Sequence, residues 1–294
     1  MTIHIQFTRF SAFYSPLIAT IAGGFLKDEG LEPEYSIAPA GVSAIAALAD
    51  GSAQVAQSAP SQGILALERG ETPAALHFAQ INEMDGFFLT ARKPDSEFSW
   101  QKLKGTSVLV DHGGQPLAMF KYACHQSGLD FADIEAIDAG GVGAIDQAFR
   151  DGEGDYVHQQ GPSPQQLEHD GVGHVVAAVG EAIGPCAFSS LAATRSWLQS
   201  DQAVAFMRAY RRARAWINET PAADIATAEQ PFFPDVEATV LSQTIAFYQQ
   251  LGTWSPHVEI TEAAYDVTLD VFSHSGQLSG RPSYAEVVAP PPGG

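Results

Sequence analysis

Residues 7–61 read FTRFSAFYSPLIATIAGGFLKDEGLEPEYSIAPAGVSAIAALADGSAQVAQSAPS, and this stretch decides the fold. Short apolar runs predict strands at 3–8, 33–37 and 54–57, and the longer runs between and after them predict helices at 16–29, 42–49 and 61–69. Pro16 in the first helical turn and Gly30 after the last are the expected start and stop signals. Such alternation predicts a mostly parallel sheet with helices on both faces.

A second series of the same kind follows the segment RKPDSEFSWQKLKG at 92–105. Strands are predicted at 107–110, 134–137, 155–158 and 173–178, with helices at 116–127, 142–150 and 163–169. One more strand, at 186–192, precedes a helical tail without a sheet of its own, which we expect to return to the first lobe. The sequence therefore predicts an α/β protein of two lobes, with residues 1–91 and 184–294 in lobe one and 92–183 in lobe two. A cleft between two hinged lobes is a usual place for a small ligand.

The composition excludes several classes of partner. The 294 residues include 34 acids and 15 bases, a formal charge of −19, whereas nucleic acids and anionic lipids require a basic face. No apolar run approaches the roughly 18 residues that a membrane span needs. Two cysteines, Cys124 and Cys186, are too few for a disulfide scaffold, and whether they pair is left open. Neither an HExxH nor a CxxC motif is present, so no metal site is expected.

Residues 7–61 resemble the opening of the SsuA/THI5-like (NMT1/THI5-like) family of ABC-transporter substrate-binding proteins. Further matching segments are WQKLKGTSVLVDHGGQP at 100–116 and SSLAATRSWLQSDQAVAFMRAYRRARAWI at 189–217. The resemblance implies a two-lobed periplasmic-binding-protein-like fold of type II. It also implies a small ligand such as a sulfonate, carboxylate or pyrimidine, a transporter permease as candidate partner, and no cofactor. Such a protein is periplasmic if a leader was removed and cytoplasmic if Met1 is native, and the sequence leaves the location open.

An enzyme built on the same fold is the alternative hypothesis. The family's pyrimidine synthases carry a cysteine-rich iron motif, which the isolated cysteines of this chain do not match. A cytoplasmic decarboxylase, lyase or enzyme of cofactor-precursor biosynthesis would instead use His112 or His158 for proton transfer. No catalytic residue is assigned firmly, a non-catalytic binding protein is preferred, and a ligand sensor without a transporter is a third reading.

In lobe one, the loop after the first strand is the first candidate ligand contact. Arg9 is expected to hold an anionic group or to form a surface ion pair, and three aromatic residues are expected to form a wall for a flat ligand or part of the core. These are Phe10, Phe13 and Tyr14.

Two serines and two hinge residues complete the lobe-one candidates. Ser43 lies at a predicted helix start, where it would cap the helix, contact a ligand or do both. The resemblance aligns Ser58 with the family's ligand-facing turn. Asn82 and Asp85 lie near the first crossing and belong either to the hinge or to the cleft.

In lobe two, the segment DHGGQP at 111–116 joins a strand to a helix through two glycines that allow close backbone approach. Its candidates are His112, Gly113, Gly114 and Gln115, with His112 acting as a hydrogen-bond donor or as an acid–base group. The end of another predicted strand is expected to face the same cleft. Its candidates are Tyr156, His158 and Gln159, of which alternation places the first two on one face.

Overall fold

The computed structural model describes residues 1–39, 41–111 and 114–293. The strands are β1 (Thr2–Phe7), β2 (Glu32–Ile37), β3 (Val55–Ser58), β4 (Leu76–Asn82), β5 (Phe87–Ala91), β6 (Ser107–Leu109), β7 (Glu135–Ile137), β8 (Tyr156–Gln160), β9 (His174–Ala178) and β10 (Ser189–Ala193). The helices are α1 (Ser15–Ala22), α2 (Phe25–Asp28), α3 (Ala46–Ala49), α4 (Ser61–Glu68), α5 (Gly114–Gln126), α6 (Val142–Arg150), α7 (Ser163–His169), α8 (Val179–Ile183), α9 (Asp201–Glu219), α10 (Ala222–Glu229), α11 (Ala238–Leu251), α12 (Glu262–His274) and α13 (Tyr284–Val287).

These elements form two sheets of the same design. The first sheet has the order β2-β1-β3-β10-β4, and the second has the order β7-β6-β8-β5-β9. In the first, β1 is parallel to β2 and β3, while β10 is antiparallel to β3 and β4. In the second, β6 is parallel to β7 and β8, while β5 is antiparallel to β8 and β9. Each sheet is thus mostly parallel, with one reversed strand, and the expected two-lobed α/β fold is confirmed.

The reversed strand of each sheet enters from the other lobe. β5 directly follows β4 of the first sheet but pairs with β8 and β9, so the first crossing lies in residues 83–86. Residues 87–91, which the sequence analysis assigns to the lobe-one segment 1–91, thus pair in the second sheet. The return crossing runs through α8 to β10, and the two crossings touch where the Cys186 N–H donates to the Glu83 carbonyl oxygen at 3.0 Å.

The helix predicted at 16–29 is two helices. α1 begins with Ser15 and Pro16, and it ends at Gly23, whose N–H bonds back to the Ala19 carbonyl oxygen. Gly24 then adopts a left-handed φ of 76°, a conformation that glycine takes without strain. This residue turns the chain, so that α2 packs at a new angle against α9.

The helical tail packs on both lobes rather than on lobe one alone. Its long helix α9 packs against α1, whereas α11 contacts the second lobe, where Thr244 Oγ1 donates to Gln165 Oε1 at 3.4 Å. The last long helix, α12, packs against α5, and the rings of His274 and His125 stack there with centroids 4.4 Å apart. No helix in the described ranges is long and apolar enough to cross a bilayer.

Candidate functional site

A cavity of about 510 Å³ lies between the two lobes, near the carboxyl ends of β1, β3 and β6. Carboxyl ends of strands are where open α/β sheets bind ligands. Both lobes, the return crossing and α12 contribute to its wall. The lining residues are Thr8, Arg9, Tyr14, Ser43, Ala44, Gln57, Ser58, Ala59, Ser61, Gln62, Leu65, Phe87, Gly114, Gln115, Pro116, Phe188, Ser189 and Phe272.

Arg9 is the only charged residue among the described residues that line this cavity. Its Nη1 lies 3.7 Å from Asp111 Oδ2 of the other lobe, and 34% of its side chain is exposed. Burial lowers the pKa of Arg9, but the nearby Tyr14 and Asp111 outweigh burial and raise that pKa above its ordinary value. Arg9 therefore stays cationic at any ordinary pH, and about a third of its side chain remains exposed.

Hydroxyl and amide groups surround this cation. Gln57 accepts hydrogen bonds from the backbone N–H of Thr8, at 3.0 Å, and from its hydroxyl, which ties the end of β3 to the loop after β1. Ser58 ends β3 and is 5% exposed, and Ser61 begins α4. Ser43 lies in the turn before α3, where its Oγ accepts a 3.4 Å bond from the Ile45 N–H. These groups can each donate or accept, so they suit a polar ligand.

Gln115 closes the cavity from the side of lobe two. Its side-chain oxygen accepts a 2.5 Å hydrogen bond from Ser61 Oγ, and its Nε2 donates to the Phe188 carbonyl oxygen at 3.2 Å. Gly114 precedes it at the start of α5 and also lines the cavity. The predictions for His112 and Gly113 fall outside the described residues.

Of the three aromatic residues in the first loop, only Tyr14 lines the cavity. Phe10 packs on Phe7 and Phe232, with ring centroids 5.1 and 5.2 Å away, because the loop turns its ring towards the outer side of lobe one. Phe13 is fully buried below the cavity, where its ring meets Phe188 at 5.4 Å. These two aromatic residues belong to the core, the second of the two readings offered by the sequence.

Asn82 and Asp85 lie at the first crossing, below the cavity wall. Asn82 donates through Nδ2 to the Phe13 carbonyl oxygen at 2.7 Å and so fixes the loop that carries Arg9. Asp85 is fully buried and accepts a 2.7 Å bond from the Phe87 N–H. Burial raises the pKa of Asp85 to about 7, since a carboxylate loses its hydration there. Both residues therefore contact the hinge rather than the cavity.

The three candidates on β8 do not line the cavity. Tyr156 begins the strand, at the end remote from the cleft, and its ring packs on Phe98 at 6.2 Å. Gln159 points to the opposite face from His158, as alternation requires, and donates to Asp146 Oδ1 at 3.3 Å.

His158 is fully buried between two phenyl rings. It stacks on Phe87 and Phe120, each with a centroid distance of 4.7 Å, and neither ring nitrogen has a hydrogen-bond partner within the described ranges. Burial lowers the pKa of His158 to about 4, although Asp111 opposes the shift. The ring is therefore neutral near pH 7 and lies one layer behind Phe87, which lines the cavity.

The sequence missed several lining residues. Phe188 and Phe272 lie on the return crossing and on α12, more than 170 residues beyond Arg9, and no local spacing signals that they share its cavity. Phe87 lies on β5, and no local pattern signals that this strand pairs with β8 and β9 of the second sheet. Thr8 and Gln57 do carry a signal, since both flank the carboxyl ends of predicted strands.

Neither cysteine offers a nucleophile to the cavity. Cys124 and Cys186 are both buried free thiols, so they do not pair. Burial raises the pKa of Cys124 to about 12 and raises that of Cys186 as well. Inert buried thiols of this kind are structural.

Comparisons with known proteins indicate the family of this chain. A family profile described as NMT1/THI5 like matches residues 12–224. A curated relative named "Putative binding protein YtlA", from Bacillus subtilis (strain 168), is 29% identical over 282 residues, which is 95% of this chain and 84% of the relative.

Two solved structures share the fold. The alkanesulfonate-binding protein SsuA from Xanthomonas axonopodis pv. citri, bound to MOPS, has a TM-score of 0.74 at 16% identity, with 98% of each chain covered. The periplasmic nitrate-binding protein NrtA from Synechocystis PCC 6803 has a TM-score of 0.62 at 13% identity, covering 100% of this chain and 92% of that one. At these identities the likeness shows the two-lobed architecture of the fold.

Proposed function

The chain belongs to the NMT1/THI5-like family, and from this premise we propose that it binds a small organic anion or heteroaromatic molecule between its lobes without transforming it. The proposal includes a role as the solute-binding component of an ABC importer, with a permease as partner and a location outside the cytoplasm. The alkanesulfonate and nitrate in the names of the two structural relatives support an anionic group on the ligand.

One observation carries this proposal: among the residues that the structure describes, Arg9 is the one permanent cation of an interlobe cavity whose other described lining groups are hydroxyls, amides and apolar groups. Arginine binds carboxylates and sulfonates through its planar fork of donors. The aliphatic and aromatic lining accommodates the body of an organic ligand, as in most small-molecule sites. About 510 Å³ is far more than an inorganic anion needs, which favours an organic acid over nitrate.

The test is a thermal-shift screen against sulfonates, carboxylates, nitrate and pyrimidines, followed by calorimetry of any compound that stabilises the protein. A ligand present at 100 times its dissociation constant adds about 2.7 kcal/mol of stability. Arg9→Gln should weaken the binding of an anionic hit at least about tenfold, since a charge-assisted hydrogen bond is lost. Arg208→Gln is the matched control, because Arg208 pairs with Glu29 on the outer surface of α9.

Mass analysis of the recovered ligand separates this proposal from the enzyme hypothesis. Recovery of an unchanged ligand supports a non-catalytic binding protein. Recovery of a chemically altered ligand overturns that proposal and supports an enzyme. If Arg9→Gln and Arg208→Gln bind every hit equally well, the cavity beside Arg9 is not the binding site.

A further inference from the structure

The side chain of Gln57 is held in one orientation near the end of β3. Its Oε1 accepts hydrogen bonds from the backbone N–H of Thr8, at 3.0 Å, and from the Thr8 hydroxyl. A backbone N–H can only donate, so the oxygen of the carboxamide must face Thr8 and the nitrogen must point elsewhere. The orientation of this amide is therefore fixed before any ligand binds.

The nitrogen of the same carboxamide has no partner among the described residues. Gln57 is only 3% exposed, yet it lines the interlobe cavity, and both of its side-chain hydrogen bonds are made by Oε1. Nε2 carries two N–H donors, which remain available to a molecule in the cavity. Because Thr8 occupies both lone pairs of the oxygen, Gln57 presents a donor and no acceptor to that molecule.

Arg9 and Gln57 offer their donors from neighbouring places in lobe one. β1 and β3 are adjacent parallel strands, in which Gln6 pairs with Ala56. Gln57 follows that pair directly on β3, and Arg9 follows it by three residues in the loop after β1. Thr8, which precedes Arg9, is the residue that holds Gln57. The two donor groups therefore lie at the same carboxyl edge of the first sheet, and both residues line the cavity.

We propose that Gln57 is a ligand-binding residue that selects an ionised acid group, with Nε2 donating to one oxygen of the acid while the Arg9 guanidinium binds another. This inference rests on the proposed function, because it assigns a second contact in the same cavity. The guanidinium and the fixed carboxamide can only donate to the ligand, so the group between them must offer acceptors to both. Carboxylates and sulfonates do so, since each has at least two acceptor oxygens.

A neutral amide matches this pair of donors less well than the acid of the same skeleton. It replaces one acceptor oxygen of the acid by an NH2 group, which is itself a donor and would face another donor. Gln57 cannot turn its own oxygen to such a ligand without losing both bonds from Thr8. The fixed amide thus rejects a donor on the ligand, which adds a repulsive element to the attraction supplied by Arg9.

The experiment measures by calorimetry the binding of butanoate, benzoate, propanesulfonate and benzenesulfonate, each beside the amide of the same skeleton. Gln57→Met removes the donor without adding charge, and Gln57→Glu replaces the donor by an acceptor. Gln54→Met and Gln54→Glu are the matched controls. Gln54 Oε1 accepts a 2.8 Å bond from the His4 N–H at the other end of the same strand pair, and Gln54 is not among the described residues that line the cavity.

The wild type and both Gln54 variants should bind at least one acid about tenfold tighter than its amide, or more tightly still. Gln57→Met should weaken the binding of that acid about tenfold, since a hydrogen bond to a charged group is lost. Gln57→Glu should weaken it further and bring the acid-to-amide affinity ratio to about one or below, because the new carboxylate repels the acid and accepts from the amide. A merely structural role for Gln57 would weaken both ligands alike and leave their ratio unchanged.

If either Gln57 variant does not unfold cooperatively, Gln57→Asn takes its place, because it keeps the amide but withdraws the donor by one methylene; the acid should again bind about tenfold more weakly. Equal acid affinities for the Gln57 and Gln54 variants overturn the inference and leave the proposed function standing. An acid-to-amide ratio in Gln57→Glu as high as in the wild type also overturns it. No binding by the wild type of any of these acids or of the wider panel overturns both the inference and the proposed function.

Discussion

The hydroxyl of Ser61 donates a hydrogen bond to the side-chain oxygen of Gln115 across the cleft, with 2.5 Å between Oγ and Oε1. Ser61 is the first residue of α4 in lobe one, and Gln115 lies in the first turn of α5 in lobe two. The same glutamine donates to the Phe188 carbonyl oxygen on the return crossing. One side chain therefore joins both lobes and the hinge at the edge of the cavity.

We expect Gln115→Ala to shift the protein towards an open arrangement of its lobes. The substitution removes one hydrogen bond between the lobes and one to the return crossing, each worth about 1 kcal/mol net, so ligand affinity should fall roughly 5- to 30-fold. Calorimetry with the hit from the ligand screen measures the loss, and small-angle scattering measures the spread of the lobes. Gln126→Ala, at the exposed end of the same helix, is the control. Equal affinity and equal dimensions for both variants would contradict a closing role for Gln115.

Asp85 should make the protein less stable as the pH rises. Burial raises the pKa of this carboxyl to about 7 from its ordinary value of 3.8. Below pH 4 both the folded and unfolded chains keep the proton, whereas between about 4 and 7 only the folded chain does. The contribution of the neutral acid is thus fully present below the unfolded pKa and is lost as the pH rises through about 7.

Asp85→Asn removes this proton while keeping an oxygen for the Phe87 N–H. Its free energy of unfolding should exceed that of the wild type by an amount that grows from pH 4 to 7, on the order of a few kcal/mol at the plateau. Urea titrations at pH 5 and 8 measure it. Asp50→Asn should show no such gain, because the pKa of that exposed carboxyl is lowered by a Ser52 hydrogen bond. If the difference in unfolding free energy between Asp85→Asn and the wild type does not change with pH, the Asp85 carboxyl is not protonated in the folded protein.

Gly180→Ala should destabilise the contact between the two crossings. A Cβ at this position would lie 2.4 Å from the Asp85 carbonyl oxygen and 2.4 Å from Met84 Cγ. Because a backbone atom cannot move aside as a side chain can, we expect a loss of about 1–3 kcal/mol in urea unfolding. Gly143→Ala is the matched control in helix α6, since nothing lies within 4 Å of its new Cβ. Gly143→Ala should leave the free energy of unfolding unchanged or raise it slightly. An equal change in unfolding free energy for both variants would disprove the close contact of Gly180 with Asp85 and Met84.

Local pattern was enough to predict the fold class and some of the residues that line the candidate site. The alternation of strand and helix predicts where polar residues follow the carboxyl ends of strands, and this rule indicated Arg9 and Gln115, while the family resemblance indicated Ser58. What the pattern lacks is strand direction. The run at 87–91 has the same apolar character whether it closes the first sheet or opens the second, so its membership is decided by pairing with β8 and β9.

The same limit explains the β8 candidates. Strand periodicity correctly places His158 and Gln159 on opposite faces of β8, but it does not tell which neighbouring elements cover each face of the strand. In the structure Phe120 of α5 covers one side of His158, and Phe87 of the reversed strand covers the other. Phe87 and Phe120 are both distant from His158 in sequence. Because they cover both sides of its ring, His158 is part of the core and does not line the cavity.

His158→Phe tests that placement and should make the protein less sensitive to acid. Burial lowers the pKa of His158 to about 4, whereas an imidazole in an unfolded chain titrates near 6.5. Its contribution to stability is therefore present above pH 6.5 and is lost as the pH falls towards 4. A phenyl ring keeps the stack with Phe87 and Phe120 and has no proton to bind, so the fall in unfolding free energy from pH 7.5 to 5 should be smaller than in the wild type.

Comparing each variant with itself at two pH values cancels any cost of fitting the larger ring. His77, whose pKa burial lowers to about 3, is present in both proteins and contributes to the acid sensitivity that remains. Ligand affinity at pH 7.5 should stay within about twofold of the wild type, since the ring lies behind Phe87 and makes no contact with the cavity. An unchanged acid sensitivity would contradict a neutral buried imidazole, and a tenfold loss of affinity would return His158 to the binding site that the sequence proposed for it.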